Sequence, residues 1–482
     1  MQNARYLIVH SILSAHTPLK RPMNRLRAML EGWFDMSSLR PIGSARATPN
    51  SFLVKPSHDD VGQLFAKKHR DTLIYVAQHQ SWYRWNGLVW EIDRDGKVFD
   101  LIRNFCRSIN QSNDKSLGTR AFLESVEILC KKDQTNFVKH SDILDRTTSV
   151  LNTPAGFVDL VSGKLQENDP FRHCTKITRA SPTDDHEGVF LSFLDDITLG
   201  DQSLQEYLQV SLGSFLSGGI EEHAIYFWIG NGRNGKNTLA DTVKRILGSY
   251  AKKVPSSLLL SKKHSEHPTE IANLQGCRFA LSSELEEGSH FDEARIKELT
   301  GDAVLTGRFM RGDYFEFLRQ HKHLVLGNHR PRLKNLDEGL KRRIKMVPFD
   351  ADFGGREDPD MTRKLYQEAG FILQWLIGGH MMWRENGCKA PACKAVDSFT
   401  DDYFRSQSTI DLWLAENCNV IEDDGRAGSA WNKSSELYAN YVKWKKDRNE
   451  TPQPSSRFGE FMSSRFAKVS SNGVRYVGLL LK

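Results

Sequence analysis

The sequence predicts an α/β domain of the P-loop type, preceded by an α+β domain and followed by a winged-helix domain, and three observations predict it. An apolar run of strand length, Ala224–Ile229, leads straight into a glycine-rich loop and then an amphipathic helix. Two later apolar segments, Phe279–Ser283 and Leu324–Gly327, run into Glu284 and Asn328, polar residues suited to phosphate chemistry. The C-terminal stretch reads helix, helix, hairpin, the order of a winged helix. At 482 residues the chain is too long for one core, and about 150 residues per domain gives about three.

Taken in order, residues 1–57 form an N-terminal extension ending in a linker, Ser44–Ser57, rich in serine, proline and small residues. The α+β domain, 58–203, opens with a helical pattern (Val61, Leu64, Phe65) and an aromatic hairpin, Trp82 to Trp90, in which Asn86-Gly87 suits a type I′ turn. A second strand pair, Leu151 to Leu165, turns at Gly156 and Gly163. The hairpin tryptophans are expected in the core, with base stacking the lesser alternative. The P-loop domain, 204–386, begins with an amphipathic helix at Leu204. Its helix Thr238–Leu247 sets Leu239, Val243, Ile246 and Leu247 on one face and stops at Gly248. The last domain, 387–482, follows a link at Gly387–Ser398 and carries helices Ser434–Arg448 and Ser455–Phe466 and a hairpin turning at Asn472-Gly473.

Composition excludes several classes. Hydrophobic content of 39% and charged content of 26% exclude global disorder. The longest apolar stretch, Phe371 to Trp383, is broken by Gln374, glycines and His380 and falls short of the roughly 18 residues of a membrane span. A basic run, Lys20–Arg27, stands where a secretory signal would be cleaved, so a cytoplasmic protein is expected. Seven cysteines form no CxxC pair, which favours reduced, buried thiols over zinc. The net charge of +6 is local: residues 301–350 hold 11 Lys and Arg against 6 Asp and Glu, and residues 434–482 hold 9 against 4, so each segment carries +5. Two such patches suit phosphate backbone.

The chemistry centres on Gly230-Asn231-Gly232-Arg233-Asn234-Gly235-Lys236-Asn237, a G-x-x-x-x-G-K pattern with Thr238 after it. Glycines let successive N–H groups face phosphate oxygens, the helix behind offers its positive end, and Lys236 reaches the β- and γ-phosphates. The expected ligands are ATP and Mg²⁺. The pattern wants Ser or Thr for the metal where Asn237 stands, so the Asn237 carbonyl or Thr238 must substitute. Glu284 is the candidate Walker B acid, holding the metal shell and orienting water, and Asn328 can bond the γ-phosphate. Between them Leu305–Phe317 alternates as a hairpin with Arg311-Gly312-Asp313 near its tip, suited to line a pore. Arg342 or Arg343 could reach a neighbour's γ-phosphate in trans.

These residues together resemble the bacteriophage and plasmid primase-helicase family, whose motor is a superfamily 3 helicase of the AAA+ type. The resemblance rests on Asn234-Gly235-Lys236, Ser283-Glu284, Lys297 to Asp302, Gly327-Asn328 through Pro331, and Arg342-Arg343 in order, with Leu151 to Leu165 before them. It implies an ATP-dependent DNA helicase in a homo-hexameric ring around single-stranded DNA. In that reading Lys236 binds phosphate, Glu284 is the acid, Asn328 the sensor and Arg342 or Arg343 the finger. Arg308 and Arg311 would grip DNA, and Arg457 and Arg465 on the winged helix would touch forked DNA or another replication protein, such as a primase or initiator. No paired-carboxylate motif precedes the shared region, so helicase without primase is the expectation. Two other readings stay open: an ATP-switched replication initiator or packaging factor, and a small-molecule kinase.

Overall fold

The computed structural model describes residues 55–110, 112–261, 268–283, 290–333, 337–421, 431–470 and 473–482. Ser57 starts the first helix, His58–His69, through a capping box: its hydroxyl accepts from Asp60 N while the Asp60 carboxylate accepts from Ser57 N. Val61, Phe65 and Ala66 bury the inner face of this helix in one core with Phe122, Leu123 and Val126 of helix Arg120–Cys130. A four-stranded sheet completes the unit in the order Trp90–Ile92, Ser81–Trp85, Leu73–Val76, Val138–Lys139, antiparallel except for its last pair. Trp82 packs edge-on to Phe137, and Trp90 stacks on His173 and donates to the Pro170 carbonyl, so both tryptophans are core. The hairpin's turn differs from the expected two-residue type. Trp85 pairs with Trp90, leaving residues 86–89 in the loop, because the Asn86 side chain accepts from both Leu88 N and Val89 N.

The central element is a five-stranded, wholly parallel sheet in the order Ile344–Pro348, Ile225–Ile229, Lys322–Gly327, Phe279–Ser283, Ala251–Lys253. A parallel sheet covered on both faces needs unbroken apolar strands, and Ile225–Ile229 is buried at every position. Alternation then divides the core: Tyr226, Trp228, Leu281 and Leu324 face one layer, and Ile225, Phe227, Ala280 and Val325 the other.

The first layer does not respect the expected boundary at residue 203. Leu151 and Val158 of the strands Val150–Thr153 and Gly156–Asp159, and Phe190, Phe193 and Ile197 of helix Val189–Thr198, join the same cluster as Trp228. Helix Gln202–Ser214 crosses helix Ala369–Glu385 so closely that a Cβ on Gly213 would lie 2.4 Å from His380 N. The expected start at residue 387 moves for a similar reason. Helix Lys394–Gln407 lies on the second layer through Tyr403 and Phe404, and its Thr400 hydroxyl accepts from Met346 N at 3.0 Å.

A separate C-terminal core gathers Trp413, Leu437, Tyr441, Phe458, Met462 and Tyr476. Three helices, Thr409–Asn417, Ser434–Asp447 and Ser455–Arg465, build it with a three-stranded antiparallel sheet ordered Trp431–Lys433, Val474–Val477, Lys468–Ser470. Asn472 of the expected turn lies outside the described residues; Gly473 has φ +101°. Of the seven cysteines six are buried and all are free thiols. No described helix is long and apolar enough to cross a membrane.

Candidate functional site

Parallel register places the ends of three strands side by side at one edge of the sheet, where ligands bind in open α/β sheets. Ile229 pairs with both Gly327 and Pro348, so Gly230, Asn328 and Phe349 leave the edge together. The loop that follows folds for local reasons. Gly232 has φ +94° and Gly235 φ +77°, conformations open to glycine at no steric cost. A Cβ on Gly230 would lie 2.3 Å from the Phe349 carbonyl, and one on Gly235 2.4 Å from Ile197 Cγ2. The loop is therefore wedged between the end of strand Ile344–Pro348 and the helix Val189–Thr198 behind it.

Lys236 opens helix Lys236–Leu247 and turns its ammonium back into the loop. Nζ donates to the Gly230 carbonyl at 3.0 Å, to Asn234 Oδ1 at 3.4 Å and to Asn328 Oδ1 at 2.9 Å. The side chain is 4% exposed, and burial lowers the ammonium's pKa from its ordinary value. Asn234, also buried, donates to the Phe349 carbonyl at 3.0 Å. Lys236 and Asn328, 92 residues apart, are thus in direct contact.

A cleft of about 690 Å³ opens over the loop, within the ~300–1,000 Å³ of ligand pockets. Gly230 to Arg233 and Asn328 line it together with Arg330, Phe349 to Asp352 and Phe399. Asn231 is exposed, and Arg233 pairs with Glu357 at 3.3 Å. Asn237 is exposed and Thr238 half-buried, and neither side chain has a hydrogen-bond partner among the described residues. Both stand in the first turn of the helix, where an amide or hydroxyl oxygen is free to ligate a cation. Glu284 lies outside the described residues; the strand that leads to it is Phe279–Ser283.

The two finger candidates separate. Arg343 is 8% exposed and its Nη1 donates to its own chain's Gly339 carbonyl at 2.7 Å, whereas Arg342 is exposed. Both precede Ile344, which pairs with Ile225, so they stand at the amino edge of the sheet, opposite the loop. The hairpin forms as Val304–Gly307 against Phe315–Leu318, with Arg308 and Arg311 exposed. On helix Ser455–Arg465, Arg457 is exposed, but Arg465 is ion-paired to Asp411 and lies over the Phe461 ring. Arg465 is nonetheless exposed, so this ion pair lies at the surface.

Sequence reasoning missed two contributors. Arg330 lines the cleft with its guanidinium 4.0 Å over Phe399, and its place two residues beyond Asn328 was the available signal. Glu368 has no such signal. Its carboxylate accepts from Glu187 N at 2.6 Å, Val189 N at 3.1 Å and Phe190 N at 2.7 Å, capping the helix that backs Gly235.

Residues 62–199 match a family described as D5 N terminal like, and residues 228–343 match a family of unknown function, DUF5906. The chain is similar to Putative helicase L207/L206 of Acanthamoeba polyphaga mimivirus, 27% identical over 278 residues that cover 56% of this chain and 28% of that protein. Putative primase C962R of African swine fever virus is 23% identical over 275 residues, 53% of this chain and 28% of that one. Putative helicase 022R of Frog virus 3 is 27% identical over 206 residues, 39% and 21%. Each match thus spans under a third of the relative's length. These comparisons relate the chain, at modest identity, to proteins named as viral primases and helicases. The apo structure of the NrS-1 C terminal region has a TM-score of 0.50 at 9% identity, covering 89% of this chain and 100% of that one, a likeness of fold.

Proposed function

We propose that this chain is a replicative DNA helicase motor of the superfamily 3, AAA+ kind, which hydrolyses ATP to move along single-stranded DNA as a hexameric ring. The observation that carries the reading is the Lys236–Asn328 contact, 2.9 Å long, beneath a glycine-rich loop at the carboxyl edge of a parallel sheet. The names of the viral relatives support a role in replication, and the C-terminal helices and sheet support a winged helix that meets forked DNA or a partner such as a primase or initiator.

The residues divide the work as follows. Loop N–H groups from Gly230 to Gly235 and the helix end cradle the phosphates. Lys236 exchanges its two carbonyl partners and the Asn328 amide for the β- and γ-phosphate oxygens, and an anion there restores the charged form that burial disfavours. Released from Lys236, the Asn328 amide orients water against the γ-phosphate. Glu284, at the neighbouring strand end, accepts the water's proton. Asn237, Thr238 and Glu284 would hold Mg²⁺, which neutralises charge between the β- and γ-phosphates. Arg342 reaches the phosphate of the adjacent copy, so hydrolysis depends on the ring, and the hairpin with Arg308 and Arg311 takes the strand. A motor of this kind works in the cytoplasm of the cell that holds the replicon, where ATP is supplied.

A forked duplex separates this from the initiator reading. ATP-dependent release of one strand, lost in Lys236→Ala, is the expected result. ATP-dependent binding to the fork without strand release would replace the motor with a switch.

A further inference from the structure

The hairpin's composition does not match a purely electrostatic grip. Its loop and flanking strands carry two guanidinium groups, Arg308 and Arg311, against two carboxylates, Asp313 and Glu316, for a local balance of zero. One of the two guanidiniums is engaged: Arg308 lies 4.7 Å over the Tyr314 ring. What the tip has in excess is exposed apolar surface, with Met310 81%, Tyr314 61% and Phe309 41% exposed. Scattered single exposed apolar residues need no explanation, but three within six residues at a hairpin tip form a patch.

The tip is also braced. Phe309 stacks on Phe315 with ring centroids 5.3 Å apart and planes 21° apart. Phe315 in turn meets the ring of His79, from the N-terminal sheet unit, at 6.4 Å. Thr269 holds the Arg308 carbonyl at 3.0 Å, and a Cβ on Gly307 would lie 2.7 Å from Ala272, so the short helix Pro268–Ala272 presses directly on the hairpin's base. The Phe309 ring is thus held on a supported platform, with the exposed Met310 and Tyr314 beside it in the same tip.

We infer that this tip takes the bases of single-stranded nucleic acid against Phe309, Met310 and Tyr314, with Arg311 left to meet phosphate. Every base has a π-face, so such a platform tolerates sequence, and only a single strand exposes those faces. Of the +5 carried by segment 301–350, Arg319, Lys322 and Arg343 are buried, which leaves about +2 at the surface to attract a polyanion. The inference rests on the proposed role of the hairpin and specifies its contact.

The test compares binding of the full chain to labelled oligothymidine and to an abasic strand of equal length, hence equal charge, at one salt concentration. The expected result is binding to oligothymidine at least about fivefold tighter, the lower end of base–aromatic stacking. Phe309→Ser with Met310→Ser should bring that ratio toward one while leaving abasic binding and thermal stability unchanged. Arg311→Ala should weaken both strands alike. Equal wild-type binding to the two strands overturns the inference and leaves the gripping hairpin standing. Binding to neither strand overturns both. A double variant that alters assembly size with the ratio intact shows the patch to be a contact between copies instead.

Discussion

The two edges of the central sheet hold their cations in opposite ways. At the carboxyl edge Lys236 is buried and satisfied by its own chain, through Gly230, Asn234 and Asn328. At the amino edge Arg342 stands in solvent beside Arg343, which is buried and tied to Gly339. The register from Ile344 to Pro348 against Ile225 to Ile229 separates these edges by a strand's length, about 16 Å at about 3.3 Å per residue. Arg342 therefore has no path to the phosphate of its own loop. Under the proposed function, the cation preorganised by its own chain serves in cis, and the exposed one at the far edge, with no ion-pair partner among the described residues, serves a neighbouring copy.

Four substitutions break or sharpen that contrast. The largest effect belongs to Arg342→Ala, expected to lower kcat by about 10³-fold or more, the range of trans-acting arginines, with an unchanged melting temperature. Arg343→Ala should do the reverse. It leaves the Gly339 carbonyl without a charged donor and costs about 1–3 kcal/mol of stability, read by denaturant unfolding. Equal loss of activity without loss of stability in both variants would erase the distinction. Next comes Gly235→Ala, which forces a Cβ to within 2.4 Å of Ile197 in a left-handed backbone. A cost of about 1–2 kcal/mol for the backbone and about 1–3 for overpacking is expected, together with loss of nucleotide binding. Binding at the wild-type level would show that the loop does not need its present shape. Smallest is Asn328→Ala, expected to cut kcat about 10²-fold with little change in nucleotide affinity, as for other lost transition-state donors. A change confined to KM would make Asn328 a binding group only.

How much of this was legible in the sequence follows from the range of the interactions involved. The loop, the strand Phe279–Ser283 and the helix ending at Gly248 follow from neighbours in the chain, and they appear where the pattern puts them. The Lys236–Asn328 contact was legible because parallel strands of similar length bring their ends together. The domain boundaries were not. Composition shifts mark linkers, but Val158, Phe193 and Trp228 share one core through packing that no local pattern encodes. Glu368 and the helix it caps are likewise some 180 residues apart in sequence. The pairing of Arg465 with Asp411, from another helix, was equally beyond the reach of a local pattern. The hairpin turn at residues 86–89 failed for a smaller reason: the Asn86 side chain captured two N–H groups that a type I′ turn would leave to the backbone.

The most direct test of the central claim is steady-state ATP hydrolysis by the full chain with and without single-stranded DNA, beside Lys236→Ala. The account predicts a rate that DNA raises and that the substitution abolishes. ATP binding without hydrolysis under any DNA condition, or hydrolysis that survives the loss of Lys236, would contradict it.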